Sequence, residues 1–344
     1  MAEPGSKKST IVRTGLLSRQ QIVRTAFGLL ERRAPRLGSR WAERLWCTIP
    51  QDGRPRPALA EPGTIVILPL AADPSDPSDP SDQRAKSPTF VAEVWGEDGP
   101  VVYLLHGWGG YRGQLGMFVA PLTAAGYRVV ALDTPSHGDA APGAFGAGRS
   151  LITEFTAALT TATRVFGPAY GVVAHSLGAG ATAVAVLDGL PVRRLVLIAP
   201  APDPNDFAVR FAAGLGFGDR IRAGLLRRLE QRTGRPMAEF DAVTRAAAAA
   251  RARSESADED TAATPSLLVI HDHRDSVIPH TQGKAIAAAW QGAELLSTSR
   301  LGHHRILRDP DVVRSAVEFL GPAQVNEQVN APVPASAAAT SGDF

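Results

Sequence analysis

Hydrophobic and polar positions along the 344-residue chain alternate with two different periods. From about Ser18 to Trp46, Ile22, Val23, Ala26, Phe27, Leu29 and Leu30 recur near one face with arginines opposite, which predicts an amphipathic helix. Thr64 to Leu70 and Thr89 to Trp95 read as strands and natural hairpin partners. Between them, Asp-Pro-Ser repeats from Asp73 to Asp82 without an apolar residue, and proline cannot donate to a sheet ladder, so a solvated loop is expected there.

Beyond Gly99 the rhythm settles. Val101 to Leu105, Tyr127 to Leu132, Tyr170 to Ala174, Arg194 to Ala199, Leu267 to His271 and Ala293 to Ser297 are short apolar runs of buried-strand type. Helical patterns separate them: one ending near Ala125, then Leu151 to Phe166, Leu177 to Leu187, Thr281 to Trp290 and Asp311 to Leu320. Strands and helices in alternation imply an α/β fold, a mostly parallel, doubly wound sheet covered on both faces. One insertion breaks the pattern. Three helical stretches without a strand (around Phe207 to Leu215, Asp219 to Thr233 and Ala238 to Arg253) predict a small helical cap at about 201–264 over the sheet's C-terminal edge. The expected division is an N-terminal extension at 1–60, a main domain at 61–321 and a disordered tail at 322–344, rich in Ala, Pro and Ser.

Composition narrows the classes. With 36 basic and 34 acidic side chains the net charge is only +2, which gives no electrostatic case for nucleic acid as a partner. The basic helix at the N-terminus suits either contact with a membrane surface or packing on the main domain with its arginines in water; packing is preferred, because large apolar anchors are few. A single cysteine, Cys47, rules out an internal disulfide and a multi-cysteine metal cluster. No stretch approaches the roughly 18 apolar residues of a membrane span, and the first residues lack a secretory signal's apolar core. A cytoplasmic location is expected.

The chemistry sits at predicted strand ends. Ala174-His175-Ser176-Leu177-Gly178 lies directly between a buried strand and an Ala-rich helix. A serine on such a turn is lifted clear of the sheet, and the helix behind it points free amides at the site. The string resembles the nucleophile elbow of the α/β-hydrolase family, G-x-S-x-G, with Ala174 in place of the first glycine.

That resemblance gives the other motifs their roles. Leu105-His106-Gly107-Trp108-Gly109-Gly110 follows the Val101 strand, and the likeness assigns the oxyanion donors to the backbone amides of Trp108 and Leu177, with His106 structural. In His271-Asp272-His273-Arg274-Asp275-Ser276-Val277-Ile278-Pro279 it singles out Asp275 as the acid, with Asp272 and Asp203 as rivals. His303, behind Gly302, takes the place of the family's base, and His304 is its alternative. His137 matches a structural turn, and His280 has no assigned role. The same His-x-His-x-Asp string opens half of a zinc motif, but the further ligands are missing nearby, so no metal and no organic cofactor is expected.

Order strengthens the likeness: Ser176, Asp275 and His303 run in the family's sequence of nucleophile, acid and base over about residues 90–320. The resemblance implies an α/β-hydrolase-type sheet and a serine hydrolase acting on a small ester-like molecule. Phe207, Phe211, Leu215, Phe217, Leu225, Leu226 and Leu229 of the insertion serve either a hydrophobic substrate group or the packing of the cap onto the body. A non-catalytic binder and a membrane-surface lipase are the competing classes.

Overall fold

The computed structural model describes residues 18–50, 61–70, 87–255 and 264–323. The expectations for residues 1–10, for the Asp-Pro-Ser segment and for the tail beyond Ala323 lie outside the described residues. The strands are β1 (Thr64–Pro69), β2 (Thr89–Trp95), β3 (Val101–Leu105), β4 (Arg128–Asp133), β5 (Ala169–His175), β6 (Val192–Ile198), β7 (Ser266–Asp272) and β8 (Glu294–Thr298). Helices α1 (Arg19–Arg33), α2 (Pro35–Cys47), α3 (Val119–Ala124), α4 (Ile152–Phe166) and α5 (Ser176–Leu187) come first along the chain. They are followed by α6 (Pro204–Leu215), α7 (Asp219–Thr233), α8 (Ala242–Glu255), α9 (His280–Ala289) and α10 (Pro310–Leu320).

Two compact units form. One comprises Met1–Thr48 with Asp203–Asp241, the other Ile49–Pro202 with Ala242–Phe344. The second is built on an eight-stranded sheet in the order β1-β2-β4-β3-β5-β6-β7-β8. Its β1–β2 and β2–β4 pairings are antiparallel, and every other pairing is parallel. This is the mostly parallel α/β sheet that the alternating pattern predicts, with the expected hairpin at one edge.

Strand β3 shows why its apolar run is continuous. All five of its residues are buried because both faces are covered. Val102 and Leu104 join Leu115, Phe118, Leu122, Val312 and Ala316 in one core cluster. Tyr103 points to the opposite face, where its hydroxyl donates to the carbonyl of Gly167 at 2.6 Å just beyond α4. The helix expected after the glycine-rich loop begins as a 3₁₀ segment, Arg112–Phe118, before α3. Two glycines in that segment, at 113 and 116, weaken a regular α-helix.

In the helical unit the long helix predicted from Ser18 to Trp46 is two helices. Proline at position 35 has no N–H to donate and its ring excludes a preceding turn, so α1 stops and α2 restarts with proline as its first residue. Ser18 and Gln21 close a reciprocal capping box at the start of α1. Phe27 stacks on Trp41 at 4.3 Å, and Trp46 meets Phe207 and Phe211 edge-on at 5.0 and 5.3 Å. Glu43, almost fully buried, accepts from Arg228 and from Arg232 Nε at 2.7 Å. Glu31 accepts from the amides of Gly218, Arg220 and Ile221, placing a carboxylate on the positive end of α7. Of the predicted insertion, α6 and α7 therefore pack with α1 and α2, whereas α8 belongs to the sheet unit.

Candidate active site

β5 ends at His175, and Ser176 begins α5 without a connecting loop. Ser176 has φ of +54°, a strained backbone for a residue with a Cβ, held because its neighbours are small and close. Gly178 shows how close: a Cβ there would lie 2.1 Å from the carbonyl oxygen of His106. On the other side, a Cβ on Gly107 would come within 2.7 Å of Ser176 Cβ. The His-Gly-Trp turn and the elbow are thus in backbone contact. Ala174, standing where the family pattern has glycine, is fully buried beside Leu105 and Leu197 in the sheet register.

The three residues singled out in the sequence meet. Ser176 Oγ donates to His303 Nε2 at 3.0 Å, and His303 Nδ1 donates to Asp275 Oδ2 at 2.7 Å. The other carboxylate oxygen, Oδ1, accepts from the amides of Val277 and Ile278 at 2.8 and 2.9 Å. Burial opposes ionisation of Asp275, but hydrogen bonds from His271, His303 and the Ile278 amide prevail and hold the group well below the usual carboxylate range. The Asp275 side chain has no exposed surface, and that of His303 is 5% exposed.

The rivals are engaged elsewhere. Asp272 Oδ2 accepts from Thr298 Oγ1 and the Leu301 amide, and its Oδ1 from the Arg274 amide, so it ties β8 and the segment leading to His303 onto the end of β7. Despite burial, those bonds lower its pKa. Asp203 caps α6 through the Asn205 amide. His304 is exposed, its ring 5.0 Å from that of His303. His106 is fully buried, with Nδ1 2.7 Å from the Gly107 carbonyl and Nε2 accepting from the Thr134 amide. His280 bonds Ser297 Oγ at 2.9 Å and lies on the ring of His273.

The half-zinc string does not converge on a point. His271 Nε2 lies 3.0 Å from the Ile278 carbonyl and 3.5 Å from Asp275 Oδ2, so its proton is shared between them, while His273 is exposed. No group of three or more His, Cys, Asp or Glu among the described residues is arranged to hold a metal ion. No helix among them is long and apolar enough to cross a membrane.

Two contacts carry no sequence signal that singles them out. His175, the variable residue of the elbow, reaches the backbone carbonyl of His303 through Nε2 at 2.9 Å. Arg112 donates through its amide to Asp133 at 2.6 Å and through Nε to Glu93 at 2.6 Å, pinning the chain just beyond the glycine-rich turn. A histidine one place before a serine and a charge match 21 residues apart would have been the only clues.

A mostly parallel sheet whose serine sits on a strand-to-helix elbow defines an α/β-hydrolase architecture. Residues 102–316 match the model of the Alpha/beta hydrolase family, and the chain belongs to that family. Among curated proteins it is similar to the dihydrolipoyllysine-residue acetyltransferase component of the acetoin cleaving system of Cupriavidus necator, 32% identical over 123 residues. That match covers 36% of this chain and 29% of the relative, so the chain spans under a third of the relative's length. Similar solved structures include a bromoperoxidase from Bacillus anthracis, 15% identical with a TM-score of 0.48, covering 75% of this chain and 99% of that one. Est1E from Butyrivibrio proteoclasticus, with ferulic acid bound, is 15% identical with a TM-score of 0.49 over 68% and 94% of the two chains. A monoacylglycerol lipase from Paleococcus ferrophilus is 21% identical with a TM-score of 0.47 over 67% and 98%.

Proposed function

We propose that this protein is a serine hydrolase that cleaves a carboxylic ester or related acyl bond through an acyl-enzyme. The observation that carries the proposal is the unbroken hydrogen-bond chain from Ser176 Oγ through both nitrogens of His303 to Asp275. A serine hydroxyl is almost fully protonated near neutral pH and attacks only if a base receives its proton. His303 Nε2 is that base, at 3.0 Å. Asp275 fixes the tautomer that leaves this nitrogen free and stabilises the imidazolium once it forms.

The attack places negative charge on the former carbonyl oxygen. The amides of Trp108 and Leu177 receive it; Leu177 lies in the first turn of α5, where amides have no intrahelical acceptor. His303 then protonates the departing alcohol, and water, activated by the same imidazole, releases the acid. General-base help supplies about 10² to 10⁴-fold and a single oxyanion donor about 10² to 10³-fold. The scheme needs no metal or organic cofactor.

A panel of p-nitrophenyl esters of graded acyl length, run on wild type and Ser176→Ala, tests the proposal. Turnover by wild type, falling at least about 10³-fold in the variant, is expected. Folded wild type inert on the whole panel would overturn the ester assignment, and equal turnover in the variant would remove Ser176 from the reaction.

A further inference from the structure

His175 has no part in the proton transfers above, yet it is 2% exposed and meets the elbow, the Gly107 turn and the His303 turn. Through the chain it carries Ser176. Its Nε2 faces the carbonyl oxygen of His303 at 2.9 Å, its ring centre lies 4.6 Å from that of His303, and a Cβ on Gly107 would come 3.2 Å from its Nδ1. A carbonyl oxygen cannot face a nitrogen lone pair at hydrogen-bond distance, so the proton is on Nε2 and the lone pair on Nδ1. That Nδ1 is buried without a hydrogen-bond partner. An orphaned buried acceptor is destabilising, a cost that a leucine or phenylalanine of similar bulk would avoid.

We propose that His175 is a positioning residue: its Nε2–H grips the backbone of the base and aims the His303 imidazole at Ser176 Oγ. The inference rests on the serine-hydrolase reading. The grip is needed because His303 stands on a four-residue helical turn, Gly302–Arg305, which cannot hold its own direction. Asp275 fixes the far end of the ring, Asp272 fixes the chain at Leu301, and His175 fixes the carbonyl of His303 itself. A neutral donor is required, since a second charge 4.6 Å away would oppose the imidazolium that attack creates.

The test is p-nitrophenyl butyrate turnover and its acylation burst in full-length wild type, His175→Gln, His175→Asn and His175→Leu. The burst counts competent sites, so kcat per site separates aim from loss of folded protein. Glutamine puts an N–H at about the reach of Nε2, asparagine falls short of it, and leucine has none. Expected are near-normal values for glutamine, and kcat per site lowered about 10- to 100-fold with KM unchanged for asparagine and leucine. If leucine does not fold, the contrast between glutamine and asparagine decides. Rates per site within twofold of wild type in asparagine, or glutamine as slow as asparagine, would overturn the proposal. A wild type without turnover or burst would instead remove the hydrolase reading beneath it.

Discussion

The helical unit and the sheet unit are stabilised by different means and carry opposite charge. Residues 1–48 with 203–241 hold 17 Lys and Arg against nine Asp and Glu, a net of +8; the rest of the chain holds 19 against 25, a net of −6. Near neutrality of the whole chain hides this division. In the helical unit buried carboxylates serve the arginine-rich helices: Glu43 takes two guanidiniums and Glu31 three amides. In the sheet unit two of the buried carboxylates, Asp272 and Asp275, lie at or just beyond a strand end and arrange the loops around His303. Glu43 and Glu31 serve the packing of helices, whereas Asp272 and Asp275 serve orientation at His303.

Substitutions sharpen this contrast. The largest effect is expected at the strand ends: Ser176→Ala and His303→Ala should each lower kcat about 10⁴- to 10⁶-fold, with melting temperature nearly unchanged. Asp275→Asn should cost about 10⁴-fold by presenting the wrong tautomer. In the helical unit the effect should appear as stability. Phe27 is fully buried against Trp41, and Phe27→Ala should destabilise by about 3–5 kcal/mol in chemical denaturation. Ser176→Ala melting like Phe27→Ala would erase the distinction.

Smaller effects fall on Asp272 and on pH. Asp272→Asn keeps the shape but lowers the acceptor strength holding Leu301 and Thr298, so a loss of about 1–3 kcal/mol is expected together with slower turnover. The acid range should divide in two. Burial, and then His303, push His175 well below 6.5, so between that value and its folded pKa the unfolded chain binds the extra proton. Stability should therefore fall as pH drops from about 7 toward 5, by at most about 1.4 kcal/mol per unit, and His175→Gln should flatten that slope. Asp275 and Asp272 are shifted downward from 3.8, so their contribution is complete above that value and is lost as pH falls below about 4. Melting curves from pH 8 to 3 measure both windows; a slope unchanged in His175→Gln would contradict the first.

Legibility in the sequence divides along the same line. Strands such as Val101–Leu105 announce themselves as unbroken apolar runs, and the elbow, the Asp275 loop and Gly302-His303 sit next to them, so the sheet and the meeting of the three residues could be read. The pairing of α1 and α2 with α6 and α7 could not, because periodicity reveals a helical face but not its partner. Arg24 bonds the carbonyls of Ala213 and Gly214 across 189 and 190 residues of chain. Pro35 was the one local sign that the first helix breaks in two. The role of His175 was hidden as well, since its hydrogen bond ends on a backbone carbonyl 128 residues away, and any residue type supplies a carbonyl.

Covalent mapping asks whether Ser176 is the nucleophile and His303 its base. Full-length wild type treated with a fluorophosphonate and digested should yield one adduct, on Ser176, and His303→Ala should acquire it far more slowly. Folded wild type that stays unmodified, or an adduct on another residue with Ser176 untouched, would contradict the account.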